Sequence, residues 1–177
     1  TYWEIKTNYR EGIFSSTRGR FTKKEEAEAM LEKIAPLDLE ITSVERKKAM
    51  EHPPKLFDLT LLQVECNKKY AFTAENTLKL IQSLYEKKLT TYPRVDTNFL
   101  PNDQYAKVPA ILKGLKPYEA LTRPILESPK IRKSSKVFND KKITDHHAII
   151  PTGVFSYDIS PDEKRVYDLV ARRFIAV

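Results

Sequence analysis

The residues best suited to chemistry lie in the stretch Thr91-Tyr92-Pro93-Arg94, where a tyrosine hydroxyl stands two positions from a guanidinium. A residue before proline is held to extended backbone, so Tyr92 and Arg94 are expected to point to the same side. A tyrosine hydroxyl is almost wholly neutral at pH 7, and a nearby cation favours the phenolate and neutralises charge on a phosphate. The pattern is that of a tyrosine nucleophile attacking a phosphodiester. The alternative is an extended loop with a half-buried tyrosine and a solvated arginine.

A second stretch, residues 144–152, contains two of the three histidines of the chain. Adjacent side chains of an extended segment point to opposite faces, so His146 and His147 are not expected to bind one metal ion. A histidine can instead donate a hydrogen bond to a nonbridging phosphate oxygen and titrates near neutral pH. A pair of surface histidines is the alternative. The chain has no G-x-x-x-x-G-K-[ST] loop, so no nucleoside triphosphate is expected to bind.

The composition is that of a moderately basic globular chain. Among 177 residues, 31 Lys and Arg face 24 Asp and Glu, giving a net charge of +7, which suits a phosphate backbone without proving one. The single Cys66 excludes internal disulfides and cysteine-based zinc sites. No apolar run approaches the length of a membrane span.

The segment 128–142 is rich in basic residues, and we interpret it as a mobile loop that is able to follow phosphates. Its basic positions are Lys130, Arg132, Lys133, Lys136, Lys141 and Lys142.

The elements that would position these residues fall on two sides of a proline-rich boundary near residues 52–53. Before it, strands are predicted at residues 2–7 and 39–45, and residues 12–17 and 19–21 are predicted to form a second strand or a pair of strands. A capping box at Thr22 is predicted to open a helix that ends near Pro36. The apolar positions of that helix are Ala27, Met30, Leu31 and Ile34.

After the boundary the apolar residues follow a helical period. Asp58 and Thr73 are predicted to cap two helices, and the second helix leads directly into the Tyr92 segment. Ser160-Pro161-Asp162-Glu163 is predicted to be a second capping box that opens a last helix. Shorter helices are predicted over residues 102–114, interrupted at Pro109, and over residues 117–126. The buried side of the Thr73 helix is predicted to carry Thr77, Leu78, Ile81, Leu84, Tyr85 and Leu89.

Four motifs follow one another in order: LFDL with LQ at 56–59 and 62–63, QSLYE at 82–86, TYPRVDT at 91–97 and HHAIIPT at 146–152. Together they resemble the central region of type IA DNA topoisomerases, and the third and fourth resemble the topoisomerase III branch. The resemblance covers the chain from about residue 52 and, more loosely, the strands before it. Any one motif would be weak, whereas four in order at family-like spacing are highly specific.

The resemblance implies that Tyr92 attacks a phosphodiester of single-stranded DNA, forms a 5′-phosphotyrosine bond and releases a 3′-hydroxyl, with resealing independent of ATP. It implies that Arg94 contacts the scissile phosphate and that His146 supports that phosphate or the leaving oxygen. The family usually has Thr where this chain has Val95, so a hydrogen bond made by that hydroxyl is missing here. Further DNA contacts are expected from Asp96, Thr97, Lys141, Lys142, His147 and Thr152.

The resemblance also implies a cofactor and an architecture. Mg²⁺ is expected in an amino-terminal acidic domain of the parent protein, outside these residues, with no metal site in the chain itself. The expected fold is an α+β multidomain fragment: a partial β-rich arch, or strap, at residues 1–52, and a mainly helical tyrosine domain of winged-helix or CAP-like fold at residues 53–177. Exposed strand edges and a tendency to associate are expected.

The chain begins without Met and ends within a helical pattern, so we interpret it as an excised piece of a bacterial, cytoplasmic, nucleoid-associated protein. Without the metal-binding domain, the fragment alone is expected to be inactive. Two other functions fit the same residues. One is a noncatalytic winged-helix module that binds single-stranded nucleic acid with Tyr92 stacked on a base. The other is a purely structural interaction domain with a fortuitous Tyr-Pro-Arg loop.

Overall fold

Six α-helices and one two-stranded sheet make up the regular structure, which confirms the α+β composition expected from the sequence. The computed structural model describes all residues from 1 to 177. They form two compact units, Thr1–Ala49 and Met50–Val177. None of the helices is long and apolar enough to cross a lipid bilayer.

The first unit contains an antiparallel hairpin and one helix. Strands β1 (Lys6–Tyr9) and β2 (Gly12–Ser15) pair with Thr7 opposite Phe14. Trp3 and Phe21 exchange two backbone hydrogen bonds of 2.9 and 2.8 Å, and Phe21 is buried. Helix α1 (Lys24–Ile34) follows.

Two expectations for this unit are wrong. Residues 39–45 form no strand, because no other segment pairs with their backbone, and their apolar side chains remain exposed. The capping box at Thr22 is also not formed: the helix begins one residue later than that box requires, and its cap residue Lys23 makes no side-chain hydrogen bond to the first turn.

The second unit is a helical assembly around one apolar core. Its helices are α2 (Leu59–Tyr70), α3 (Ala74–Glu86), α4 (Val108–Gly114), α5 (Glu119–Glu127) and α6 (Pro161–Ala176), with 3₁₀ turns at Asn102–Lys107, Lys116–Tyr118 and Asp140–Lys142. Helix α3 packs against both α2 and α6. Residues 128–139 are otherwise irregular, as the sequence predicts. The interruption expected at Pro109 lies slightly earlier, because a 3₁₀ turn ends at Lys107 and proline occupies the first turn of α4.

The three predicted caps of this unit are formed. Asp58 accepts a hydrogen bond from the backbone N–H of Leu61, and Thr73 accepts one from Asn76. At α6 the Ser160 hydroxyl accepts from Glu163 N–H at 3.2 Å, and the Glu163 carboxylate accepts from Ser160 N–H at 2.6 Å. Each interaction spans three residues, which explains why the sequence alone locates it.

Gly114 lies so close to Gly153 that it could not carry a side chain without displacing the Gly153 backbone. A Cβ on Gly114 would lie 1.8 Å from the carbonyl oxygen of Gly153. Gly153 itself adopts a left-handed backbone with φ of +88°. This contact fixes the end of the 144–152 stretch against helix α4.

We therefore expect Gly114→Ala to destabilise the second unit by about 3 kcal/mol, since the backbone must move apart to admit the methyl group. Urea denaturation followed by circular dichroism would measure the loss. Gly12→Ala is the control, because Gly12 lies in the first unit, does not adopt a left-handed backbone, and the atom nearest to its added Cβ belongs to the exposed Phe14 ring at 3.3 Å. Equal stability of Gly114→Ala and the parent chain would contradict the close approach.

A buried carboxylate joins α3 to α6. Glu163 is 5% exposed and accepts hydrogen bonds from the Ser83 hydroxyl at 2.6 Å and from the Lys87 ammonium at 2.9 and 3.1 Å. Burial alone would raise the pKa of Glu163, but the bonds from Ser83, the Ser160 backbone and Lys87 outweigh it and lower the pKa from 4.5 to about 2. This clamp holds the carboxyl end of α3 just before the Tyr92 segment.

A carboxylate with a depressed folded-state pKa stabilises the protein above its unfolded pKa, and this contribution is lost as the pH falls through the folded pKa. We expect Glu163→Gln to lose about 3 kcal/mol of unfolding free energy at pH 7. The difference from the parent chain should shrink as the pH falls from about 4.5 to about 2. Thermal unfolding at several pH values would measure it; a difference independent of pH would exclude this role for the carboxylate.

Candidate active site

Thr91 fastens the Tyr92 segment to the histidine stretch. Its backbone N–H donates to the carbonyl of Ile150 at 2.9 Å, and its hydroxyl accepts from the Ile150 N–H at 3.0 Å. The same hydroxyl donates to the carbonyl of Ala148 at 3.3 Å. Two segments far apart in sequence are thereby held side by side, with Tyr92 adjacent to these bonds in one segment and His146 and His147 in the other.

A second pair of bonds closes the other end of this contact. The hydroxyl of Thr152 donates to the carbonyl of Lys88 at 2.7 Å, and its backbone N–H donates to that of Leu89 at 3.1 Å. Lys88 has a positive φ of 60°, which turns the chain back at the end of α3. The turn and the threonine bonds together bring Tyr92 back alongside the last turns of α3.

Tyr92 is half-buried, and its ring lies between two other rings. The ring of His146 is 4.5 Å away, centroid to centroid, at an interplanar angle of 41°. The ring of Tyr85 contacts it edge to face, at 5.4 Å and 80°. The Tyr92 hydroxyl makes no hydrogen bond to the protein, so only packing positions it.

Arg94 and His146 line one open cleft of about 440 Å³. Both side chains are exposed, and neither makes a hydrogen bond or an ion pair within the chain. Tyr92 does not line the cleft but adjoins it through the His146 ring. The other lining residues are Leu59, Thr60, Val95, Asp96, Thr144 and Asp145.

The cleft also borders the first turn of helix α2. The Leu59 N–H donates to the carbonyl of Val95 at 3.1 Å, and Asp58 caps the Leu61 N–H. The amino end of a helix favours an anion, by about 0.3–1 kcal/mol when exposed. The Val95 carbonyl and the Asp58 carboxylate already occupy amides of this helix end, so Arg94 and His146 are the groups of the cleft that favour a phosphate.

A second cleft, of about 260 Å³, continues from the first, since Asp96 and Thr144 line both. It adds the ammonium groups of Lys55 and Lys142 and the side chain of Thr97, whose hydroxyl donates to the carbonyl of Lys142 at 2.7 Å. The predicted site residues Arg94, Asp96, Thr97, Lys142 and His146 therefore lie along one continuous surface, while Lys141 is exposed on the same 3₁₀ turn as Lys142.

The carboxylates of Asp96 and Asp145 oppose an anion in the first cleft. Two positive lysines in the second cleft and one arginine in the first offset them, so net charge alone is not a strong source of affinity. Arg94 and His146 are the cleft residues whose N–H groups could donate directed hydrogen bonds to an anion.

Two predicted residues lie apart from this surface. His147 is half-buried: its Nδ1 is 2.8 Å from the Ala148 carbonyl and its Nε2 is 3.1 Å from Gln104 Nε2. A carbonyl only accepts and an amide nitrogen only donates, so Nδ1 is assigned the proton. His147 and His146 thus occupy different environments, as expected for neighbours in an extended segment. Thr152 is engaged with the backbone of residues 88–89. DNA contacts from His147 and Thr152 stay predictions.

Sequence reasoning missed three residues that shape the site. It placed Tyr85 on the buried face of α3, but that side chain is 38% exposed and contacts Tyr92. Thr91 and Glu163 were missed because their partners lie far away in the sequence. Only the capping box offered a signal for Glu163.

The chain presents no group of three or more His, Cys, Asp or Glu side chains that could hold a metal ion. The expected Mg²⁺ site concerns residues outside this chain and stays a prediction.

Comparison with known sequences places this arrangement in a family. The family described as DNA topoisomerase matches residues 1–177. DNA topoisomerase 3 of Bacillus thuringiensis is 34% identical over 187 residues, covering 100% of this chain and 26% of that protein. The Bacillus cereus protein of the same name is 35% identical over 163 residues, covering 89% and 22%. The Staphylococcus aureus one is 36% identical over 161 residues, covering 88% and 22%. The chain thus spans about a quarter of the length of these relatives.

Proposed function

This chain belongs to the type IA DNA topoisomerases, and we propose that it carries the nucleophile with which the complete protein cleaves and reseals single-stranded DNA. The relatives are named DNA topoisomerase 3. Tyr92 is the nucleophile in this proposal, and Arg94 and His146 bind the phosphate that it attacks. The observation that carries the proposal is the packing of Tyr92 on His146 beside a cleft that Arg94 lines, with all three polar groups free of protein partners.

In the cleavage step the Tyr92 oxygen attacks phosphorus. A bond forms between phosphorus and that oxygen, and the bond between phosphorus and the 3′ oxygen breaks. The phenol loses its proton, and the departing 3′ oxygen gains one to become a hydroxyl. Resealing is the reverse reaction, in which the 3′ hydroxyl attacks the phosphotyrosine. No ATP is required, because the broken linkage is retained as a tyrosine ester, and an aryl oxide is a good leaving group.

Arg94 and His146 act on the nonbridging oxygens of that phosphate. A guanidinium presents parallel N–H donors that match two phosphate oxygens, and an imidazole N–H adds a third donor from the side of the Tyr92 ring. These donors bind more strongly as charge accumulates in the transition state, which is how they accelerate the reaction.

The second cleft extends the proposed DNA path. Lys142, Lys55 and the neighbouring Thr97 lie beyond Asp96, where they can contact the sugar–phosphate backbone on one side of the reacting linkage. Such contacts position a strand without selecting its sequence. Lys141 is assigned the same role.

The remaining catalytic groups come, in this proposal, from other parts of the polypeptide. An acidic domain of the complete protein supplies Mg²⁺, which would contribute further charge neutralisation. We assign residues 53–177 to a tyrosine domain of winged-helix or CAP-like fold and residues 1–52 to part of a strap. Location in the bacterial cytoplasm, beside the nucleoid, is part of the same proposal.

End labelling of a single-stranded oligonucleotide tests the proposal. The complete protein is incubated with oligonucleotides labelled at one end, and the reaction is stopped with detergent. A 5′-phosphotyrosine bond leaves the 3′-labelled fragment attached to the protein and frees the 5′-labelled fragment with a 3′ hydroxyl. Attachment of the 5′ label would reverse the proposed polarity. Absence of any adduct with Mg²⁺ supplied would contradict the function.

A further inference from the structure

Tyr85 is the aromatic side chain other than His146 that contacts the ring of the nucleophile, and nothing in the proposed reaction yet uses it. We infer that Tyr85 is a positioning residue that holds Tyr92 in its attacking orientation during both cleavage and resealing. This inference rests on the proposed function, because it assigns a role within the same reaction.

Tyr92 depends on packing for its orientation. Its hydroxyl has no hydrogen-bond partner in the chain, and its two aromatic contacts lie at 4.5 Å to His146 and 5.4 Å to Tyr85. A tyrosine side chain can otherwise choose among staggered rotamers about its Cα–Cβ bond. The two neighbouring rings restrict the rotamers of Tyr92, so the phenol oxygen is already oriented before the phosphate binds.

The two neighbours differ in how firmly they are held. His146 is exposed, belongs to an irregular segment and is assigned to phosphate binding. Tyr85 belongs to the last turn of helix α3, next to the fully buried Leu84, and this turn is bonded to Glu163 through Ser83 and the following Lys87. Tyr85 is therefore the more firmly held of the two neighbours of Tyr92. In this inference it stays in place when His146 binds a substrate.

The contact depends on the ring of Tyr85 and not on its hydroxyl. The interplanar angle of 80° places one ring edge against the face of the other, the favourable arrangement for two aromatic quadrupoles. The Tyr85 hydroxyl makes no hydrogen bond in the chain. Phenylalanine should accordingly replace it, whereas alanine or leucine should not.

The side chain is 38% exposed, so its removal should leave the core of the unit intact. Because Tyr85 is partly exposed, an effect of its removal on the reaction rates can be distinguished from an effect on the stability of the fold. For a buried residue the two effects would be difficult to distinguish. The exposure of Tyr85 also raises a competing role, the stacking of a DNA base on Tyr85.

The test measures single-turnover cleavage and resealing of a single-stranded oligonucleotide by the complete protein. Tyr85→Ala and Tyr85→Leu should slow both rates about tenfold, since both steps pass through the same transition state. The fraction of DNA held as adduct at equilibrium and the dissociation constant for the oligonucleotide should stay unchanged. Tyr85→Phe should restore both rates to within about twofold of the parent protein.

Tyr157→Ala is the matched control, because Tyr157 makes the same kind of edge-to-face contact, with Phe155 at 5.0 Å and 87°, away from the cleft. It should leave both rates unchanged. Circular dichroism of each variant checks folding.

Three results would overturn the inference: parental rates in Tyr85→Ala, a loss confined to oligonucleotide binding, or a loss in Tyr85→Phe equal to that in Tyr85→Ala. Tyr92→Phe, measured in parallel, separates this outcome from failure of the proposed function. If Tyr92→Phe still forms the adduct, the function itself is wrong. If it forms none while Tyr85→Ala keeps parental rates, only the role of Tyr85 is wrong.

Discussion

Replacing Tyr92 by Phe in the complete protein is expected to abolish the covalent DNA adduct while leaving single-strand binding within about twofold of the parent value. The substitution removes only the hydroxyl, which has no partner in the chain. It keeps the ring that packs between Tyr85 and His146. Cleavage should therefore fall by at least about 10³-fold without loss of the folded site. The adduct would be measured after detergent treatment and the affinity by fluorescence anisotropy.

Tyr157→Phe is the control for this experiment, because Tyr157 is exposed and does not line either cleft, and it should retain full activity. A parallel loss of adduct and binding in Tyr92→Phe would identify Tyr92 as a base-stacking platform of a noncatalytic module. That module is the principal alternative raised by the sequence. The purely structural alternative would be favoured by absence of any oligonucleotide binding at low salt.

Arg94→Ala is expected to lower the cleavage rate about 100-fold, the usual cost of removing one donor that stabilises transition-state charge. Arg94 is exposed and has no carboxylate partner, so its loss leaves no unpaired group and should not change stability measurably. Arg94→Lys should recover only part of the rate, since an ammonium keeps the charge but cannot present two parallel N–H groups. Single-turnover cleavage of an oligonucleotide would measure all three proteins.

Arg123→Ala serves as the control for loss of one positive charge. Arg123 lies on helix α5, is exposed and pairs with Glu119 within the same helix. Its removal should leave cleavage unchanged. Parental activity in Arg94→Ala, or an equal loss in both variants, would contradict the phosphate contact assigned to Arg94.

Local features of the second unit could be predicted from the sequence because the interactions that create them span a few residues. The caps at Asp58, Thr73 and Ser160 each join atoms three positions apart. In the first unit a local residue pattern was not sufficient. The strand predicted at residues 39–45 is not formed, because these residues have no partner segment. A β-branched pattern predicts a strand only where another strand can complete its hydrogen bonds.

Helical periodicity did not predict the exposure of Tyr85 at the end of helix α3. Periodicity placed Tyr85 with Ile81 and Leu84, and those two are fully buried. Tyr85 lies at the edge of that apolar face, where the returning chain, and not the core, covers it. Helical spacing determines which side chains share a face but not where the covering layer ends.

By itself, the sequence determined the helices of the second unit, their caps and the four ordered motifs that indicated the family, since these depend on residue type and short spacing. Only the tertiary structure decided that His146 packs on the Tyr92 ring, that Tyr85 contacts that ring edge to face, and that Glu163 bonds to Ser83 80 positions away. Such contacts form when chain reversal and packing bring distant segments together, and no local pattern records which segments will meet.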